Sequence, residues 1–368
     1  MNSKLIIQIV TWNSLKFLKE CLDSVFNQTF KSFSVLIIDN GSNDKTVDFI
    51  RKNYSKEKIK EKFKKTSKIF IFQNNKNLGF SRAHNQGLFL AQSEFVLVLN
   101  PDVILEPDFL TKLMRKAVKE KKIGSFAGKL LRIKSGDVEL EEKIKTDIID
   151  TTGFKIFKNR HIIDRGQRQK DKKQYDKETN VFGVSGACAL YRRQALEDVK
   201  LPIIRNSSKF VIRKGKERSD WEYFDEDFFA YQEDMDMAWR LQLKAWPCLY
   251  VPQAKAYHYR GVGGKENIGL FELAKLHWQR SKTIEYLSYR NHLWLLLKNS
   301  YLKNIFYHFF VIFFYQLGKR IYLLFTKPKV LLKVSFCFWK NLAKMYKKRK
   351  IIMKNAKVDA KQMRKWIE

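Results

Sequence analysis

The chain has 368 residues, with 72 lysines and arginines against 38 acids and a formal charge of +34. That length buries a sizeable core and excludes a small stapled fold; Cys21, Cys188, Cys248 and Cys337 form no C-x-x-C pair, so neither a zinc site nor a disulfide framework is indicated. The charge asks for an anionic partner, which could be nucleic acid, a membrane surface or a phosphate-bearing substrate.

Lys4 to Val10 reads as a first strand that runs into Thr11, Trp12 and Asn13 without a small-residue cleavage site, so no signal peptide is expected. Ser14 to Phe26 follows as a helix, with Leu15, Leu18, Leu22, Val25 and Phe26 at helical spacing and Asn13 or Ser14 as its cap. A second strand, Phe33 to Ile38, ends in Asp39-Asn40-Gly41-Ser42, and a helix starts near Asp44. Ile69 to Phe72 is a third strand, followed by Asn74 to Gly79 and a helix from Arg82 to Gln92. Phe95 to Leu99 is an unbroken apolar run, as a strand buried on both faces would be, and it stops on Asn100-Pro101-Asp102.

This alternation predicts an α/β fold with a doubly wound, mostly parallel sheet. Thr11, Asn13, Asp39, Asn77 and Asp102 then gather along the carboxyl edge, where open α/β sheets bind ligands. The first glycine is Gly41, so the glycines that a dinucleotide fingerprint or a P-loop needs after strand one are absent. A nucleotide would be held by side chains instead, with Asp39 accepting from a base or ribose and Asp102 reaching a diphosphate through a cation. Each of these acids also reads as an ordinary turn residue.

Leu113 to Lys122 is expected to be helical, and Lys134 to Asp147 to form a polar loop or insertion. Gly183, Ser185, Gly186 and Ala187 lie in an apolar stretch, where small side chains admit a ligand or a closely packed backbone. Acids then crowd from Asp225 to Asp236, and a helix begins near Glu233. In that register Asp234 shares a face with Ala238, Leu241 and Ala245, while Asp236 points to the other side and pairs with Arg240 at i,i+4. Asp234 is the carboxylate with a reason to look inward, and a first-turn position keeps it ionised, which suits a base. His258 precedes Gly261, Gly263 and Gly264, which suit a loop able to close over a substrate.

Residues 270 to 300 look helical. Asn304 to Gly318 is uncharged and mostly aromatic, too short to span a bilayer and suited to lying in its interface. From Lys327 onward fourteen lysines and arginines face only Asp359 and Glu368, a basic tail that an anionic membrane would attract. Packing of the aromatic helix on the catalytic domain is the alternative. The expected organisation is a domain over 1–265, a helical, membrane-associated region over 266–326 and a basic tail over 327–368.

Ile9 to Asn13, Ile38 to Asp44, Asn77 to Gly87, Leu99 to Asp102, Phe228 to Asp236 with Arg240, and His258 resemble, in that order, the inverting glycosyltransferases of family 2, most closely the rhamnosyltransferase-like branch. The resemblance implies a GT-A fold over roughly residues 4 to 265. It implies Asp234 as the catalytic base with Glu233 beside it, and Mg²⁺ or Mn²⁺ at Asp102 and His258. Thr11, Asn13, Asp39, Asn40, Ser42, Asn77, Gly79, Arg82, Asn85 and Asn100 would bind the nucleotide sugar. Asn100 departs from the family's D-x-D and leaves fewer charges around the cation.

The implied donor is a nucleotide diphosphate sugar, dTDP-rhamnose or a UDP-sugar. The implied acceptor is a glycan or polyprenyl-linked hydroxyl in cell-envelope synthesis, reached from the cytoplasmic face of the cell membrane by a peripheral or monotopic enzyme. Two other readings compete. A basic nucleic-acid-binding protein could stack bases on its aromatics, though the acids from Asp225 to Asp236 would repel phosphate, and no nucleic-acid partner is expected. An inactive transferase-like scaffold on the membrane would have no need of Asp39, Asp102, Asp234 and His258 together.

Overall fold

The computed structural model describes residues 3–65, 68–134, 144–204, 220–259 and 281–368. Strands β1 (Leu5–Thr11), β2 (Phe33–Asp39), β3 (Ile69–Gln73) and β4 (Phe95–Leu99) alternate with helices α1 (Leu15–Phe26), α2 (Thr46–Asn53), α3 (Lys56–Phe63) and α4 (Phe80–Leu90). Successive β1 side chains enter opposite cores, as period-2 geometry requires. Leu5, Ile7 and Ile9 meet Leu18, Leu22 and Phe26 of α1, whereas Ile6 meets Leu36, Ile38 and Ala83 on the α4 side. With both faces covered, the parallel order β3-β2-β1-β4 follows. Thr11 is level with Asp39 and Ile9 with Leu99, so the carboxyl ends finish together.

The chain continues through β5 (Val103–Leu105), α5 (Phe109–Lys119), β6 (Ser125–Lys134), β7 (Ile144–Thr151), β8 (Phe154–Ile156), β9 (Ile162–Asp164), β10 (Thr179–Val181), β11 (Cys188–Arg192), α6 (Arg193–Val199), β12 (Leu201–Pro202), β13 (Trp221–Glu222), α7 (Glu233–Leu243) and β14 (Cys248–His258). The ten-stranded sheet runs β10-β14-β6-β11-β4-β1-β2-β3, with β5 on β14 and β7 on β6. Strand β11 lies antiparallel between β4 and β6, so the whole sheet is mixed. Two pairings build the site. The Asn100 amide donates to Ala187 O at 2.9 Å, which sets the small-residue loop beside the end of β4. Strand β14 pairs with β5 so that His258 is opposite Val103, next to Asp102.

Several expectations shift. Of the polar stretch read as a loop, residues 144–147 belong to β7, held by the β6 ladder, and 135–143 lie outside the described residues. Gly261, Gly263 and Gly264 also lie outside them, as do residues 270–280. Ser14 begins α1 without a side-chain cap; its hydroxyl accepts from the Trp12 amide instead.

The C-terminal part comprises α8 (Lys282–Asn299), α9 (Leu302–Tyr307), α10 (Phe309–Thr326), α11 (Pro328–Lys354) and α12 (Ala360–Arg364). The stretch expected as a basic tail is folded. Met345, Ile352 and Met363 join a core with Phe228, Trp239 and Trp294, and the Glu368 amide donates to Ile156 O at 3.0 Å. Buried Lys348 bonds Glu222 at 2.6 Å, Asp225 at 2.5 Å and Asp227 at 2.8 Å. Buried Lys298 pairs with Asp225, and with Asp236 at 2.9 Å. The physical reason is charge: acids inside the fold need buried counter-ions, and these two helices supply them.

Candidate active site

At the ends of β1 and β2 the polar side chains are tied to one another. Asp39 is buried, and its Oδ1 accepts from Thr11 Oγ1 at 2.8 Å and Ser42 Oγ at 2.6 Å, while Oδ2 accepts from the Ser42 amide at 3.0 Å. Asn13 spans the same turn: its amide donates to Ser42 Oγ at 2.9 Å and its Oδ1 accepts from the Asn43 amide at 3.0 Å. Asn40 Nδ2 donates to Asn77 Oδ1 at 2.9 Å, and Asn77 Oδ1 in turn accepts from the Gly79 amide at 2.9 Å. Gly79 has φ +86°, and a Cβ there would fall 2.5 Å from the Phe229 ring, so only glycine starts α4 this close to the 229 turn.

The second group surrounds a cavity of about 560 Å³ lined by Asn100, Ser185, Gly186, Glu233, Asp234 and His258, among others. Helix α7 is buried on almost every side, so Asp236 does not point to solvent. Its Oδ2 accepts from Arg240 Nε at 2.8 Å, as the i,i+4 spacing predicts, and its Oδ1 accepts from Asn299 at 2.8 Å. Asp234 is the acid that faces the cavity. Its Oδ2 accepts from the Gly186 amide at 2.8 Å, and its Oδ1 from the Met235 amide at 2.8 Å. Burial pushes the Asp234 carboxyl up, the Gly186 amide pulls it back, and the charge of Asp164 raises it again, leaving it at about 6. Glu233 is held well above the usual range by burial and then by Asp234, and its Oε2 has no hydrogen-bond partner among the described residues.

The α7 start is held in a strained conformation. Phe229, Tyr231 and Gln232 all have φ between 65° and 70°, where side chains crowd the backbone. Asn291 of α8 compensates: its Nδ2 donates to Phe228 O at 3.0 Å, Ala230 O at 2.9 Å and Tyr231 O at 2.7 Å. Arg290 adds bonds to Asp227 O and Phe228 O, both at 2.9 Å. A strained turn over-determined by its neighbours fixes a side chain more tightly than a free helix end does.

On the far wall His258 Nε2 lies 3.4 Å from Asp102 Oδ1, a buried oxygen with no nearer partner among the described residues. His258 Nδ1 is 2.8 Å from the buried Asp150 carboxylate, which fixes the ring. Burial works against the His258 cation, but Asp102 and Asp150 together raise it to about 9. A ring oriented through Nδ1, with Nε2 turned toward the Asp102 carboxylate, fits a divalent cation that would displace the Nε2 proton on binding. Among the described residues no cluster of three His, Cys, Asp or Glu is placed to hold a metal.

The structure therefore divides the residues that the sequence singled out. Asn100, Glu233, Asp234 and His258 line one cavity, with Asp102 behind His258. Thr11, Asn13, Asp39, Asn40, Ser42, Asn77 and Gly79 form the strand-end network, and Arg82 stands at its edge, 3.9 Å from Glu226. Asn85 is a correction: it is buried, its Oδ1 accepts from the Tyr223 and Phe224 amides and its Nδ2 donates to Phe224 O at 2.8 Å. Those bonds assign it to holding the 223–224 backbone rather than to a ligand. Sequence reasoning missed Asp150, Asp164, Asn291, Lys298 and Lys348, which carry no local motif and act only through distant partners.

The family model for glycosyl transferase family 2 matches residues 6–200, and that for glycosyl transferase family group 2 matches 154–325. The chain is similar to the N-acetylglucosaminyl-diphospho-decaprenol L-rhamnosyltransferase of Mycobacterium tuberculosis, 26% identical over 276 residues that make up 71% of this chain and 77% of that protein. It is 27% identical to EpsH of Bacillus subtilis over 109 residues, 30% of this chain and only 29% of EpsH, less than a third of that relative. The solved structure of GalNAc-T7 with UDP, GalNAc and Mn²⁺ has a TM-score of 0.54 at 12% identity, covering 80% of this chain and 48% of that one, a likeness of fold.

Proposed function

The chain belongs to glycosyl transferase family 2, and from that premise we propose that it is an inverting glycosyltransferase acting from a nucleotide diphosphate sugar onto a hydroxyl of a lipid-linked or polysaccharide acceptor. The observation that carries this reading is the cavity itself. Asp234, with its carboxyl raised to about 6, and the His258 wall face the same space of about 560 Å³. A carboxylate at about 6 is ionised at neutral pH yet more basic than an ordinary aspartate, which is what a general base for an alcohol needs.

In this mechanism Asp234 takes the proton of the acceptor hydroxyl, and the oxygen attacks the anomeric carbon from the face opposite the diphosphate. One displacement inverts that carbon, and no carboxylate nucleophile is required. The Gly186 amide holds Asp234 Oδ2, and the Asn291 clamp keeps the α7 start from turning away. Asp102 and His258 would hold the Mg²⁺ or Mn²⁺ ion, which when bound neutralises the leaving diphosphate. The strand-end network gives the nucleotide a rigid floor, with Asp39 holding Thr11 and Ser42 in place beneath the base or ribose.

Rhamnose is the donor sugar we favour, supported by the similarity to the mycobacterial rhamnosyltransferase over 71% of this chain. The same relative supports a polyprenyl diphosphate acceptor. The test is a screen of the purified protein with thymidine, uridine and guanosine diphosphate sugars, with product stereochemistry read by NMR. Turnover of thymidine diphosphate rhamnose with inversion is expected. Retention of configuration would overturn the single displacement, and no turnover of any donor would overturn the transferase.

A further inference from the structure

Helix α10 has two faces of opposite chemistry. On the inward face Ile312 and Leu323 are buried, Gln316 is 2.8 Å from His292, and Lys319 bonds Glu285 at 2.5 Å. Tyr315 and Lys319 line the same cavity as Asp234. The outward face is bare: Phe310, Phe314 and Phe325 are 71%, 63% and 81% exposed, and only 11% of Phe309–Thr326 is buried. Helix α11 continues the pattern with Leu332, Phe336 and Trp339, each about 70% exposed, interleaved with exposed Lys329, Lys333 and Lys340. Scattered exposed apolar residues need no explanation, but a run of large aromatics on consecutive helical turns marks an interaction surface.

Charge and bonding identify what covers it. By length and composition α10 could cross a membrane, yet Lys319 and Arg320 lie within it and its inward face is bonded to α8. Lipid cannot surround a helix fixed to protein along one side, so it cannot be a free span. A purely apolar protein partner would leave the interleaved lysines unpaired, whereas anionic headgroups sit beside aromatics and pair with lysine. Arg160, itself buried, donates to Asn304 O at 2.6 Å and lies 3.2 Å from His308, which anchors the α9–α10 junction to the β8–β9 hairpin. The apolar face is thereby held rigidly relative to the cavity.

We propose that α10 and α11 lie flat on an anionic bilayer surface, with the aromatic side chains at the headgroup boundary, while the inward face of α10 walls the cavity beside Asp234. A membrane-held acceptor then reaches Asp234 along α10. This last consequence rests on the transferase reading; the docking does not.

The test sediments the full chain with vesicles of phosphatidylcholine, alone or mixed with phosphatidylglycerol. Binding about tenfold tighter or more to the anionic vesicles is expected, with high salt releasing it. The triple variant Phe310→Ser, Phe314→Ser, Phe325→Ser should lose that binding while keeping the parent's circular dichroism and melting temperature. Trp339 emission should shift to the blue on binding and be quenched by brominated acyl chains. The proposal is overturned if the chain binds neither vesicle, binds both equally, or resists alkaline carbonate as a spanning helix would. It is equally overturned if the triple variant binds like the parent, or if the parent self-associates without lipid through these same residues. The variant should also keep donor hydrolysis by water and lose transfer to an acceptor anchored in the vesicles. A parent that binds vesicles but turns over no donor leaves the docking standing and sinks only the transferase.

Discussion

Asp39 and Asp234 both stand at the carboxyl edge of the architecture, and the fold treats them in opposite ways. Asp39 is surrounded by donors: two hydroxyls and an amide take up its oxygens, so it organises a turn. Asp234 receives two amides but lies half-buried at the cavity beside Glu233, one of whose oxygens has no hydrogen-bond partner among the described residues, and within the field of Asp164. A carboxylate ringed by hydroxyl and amide donors is a scaffold, and one whose proton affinity is raised by burial and by neighbouring acids is suited to proton transfer.

The contrast is sharpest in rate. Asp234→Asn is expected to lower transfer by about 10² to 10⁴ while donor affinity by calorimetry stays near the parent's. Near-full turnover in that variant would shift the base to Glu233. The counter-ions behind this end come next. Lys348→Met leaves Glu222, Asp225 and Asp227 short of their buried partner and should cost about 3–5 kcal/mol of stability in denaturant melts. If Lys348→Met melts like the parent, the folded C-terminal helices do not support α7.

Asp39→Asn puts an amide where the carboxylate accepted from both Thr11 and Ser42. About 1–3 kcal/mol of stability should be lost, with a raised donor KM and a smaller change in kcat. A kcat loss as large as that of Asp234→Asn would erase the distinction between scaffold and reactive ends.

The last effect is one of pH. The folded Asp234 carboxyl, at about 6, binds its proton more tightly than in the unfolded chain, where 3.8 is usual. Its burden on stability is therefore full above about pH 6 and is relieved as pH falls from there toward 3.8. Whatever the loss of one acceptor for the Gly186 or Met235 amide costs Asp234→Asn at every pH, its stability relative to the parent should be higher at neutral than at acidic pH by thermal melts. The parent's kcat/KM should rise with pH through a limb near 6, shared with the neighbouring Glu233.

Much of this arrangement is legible from contiguous residues. The apolar run Phe95 to Leu99 ending on Asn-Pro-Asp is a buried strand of five residues, and the i,i+4 pairing of Asp236 with Arg240 holds in α7, but the buried face expected for Asp234 does not: Asp236 is the fully buried acid, and Asp234 is half-buried at the cavity. The acidic run could not be read in the same way. Counting charges treated Lys348 as part of a basic tail for an anionic membrane and the acids near Asp225 as a source of repulsion toward phosphate, yet they neutralise each other inside the fold.

The sequence by itself determined the alternation of the first four strands with helices, the polar strand ends and the pairing of Asp236 with Arg240. These depend on period 2, period 3.6 and turn chemistry, which act between neighbours in the chain. Only the tertiary structure decided that Asp150 orients His258 across 108 residues, that Lys348 meets Asp225 across 123, and that Asn291 clamps the turn before α7. Those pairings exist because burial makes an unpaired charge or carbonyl costly, and which groups are buried together is fixed by packing rather than by any local pattern.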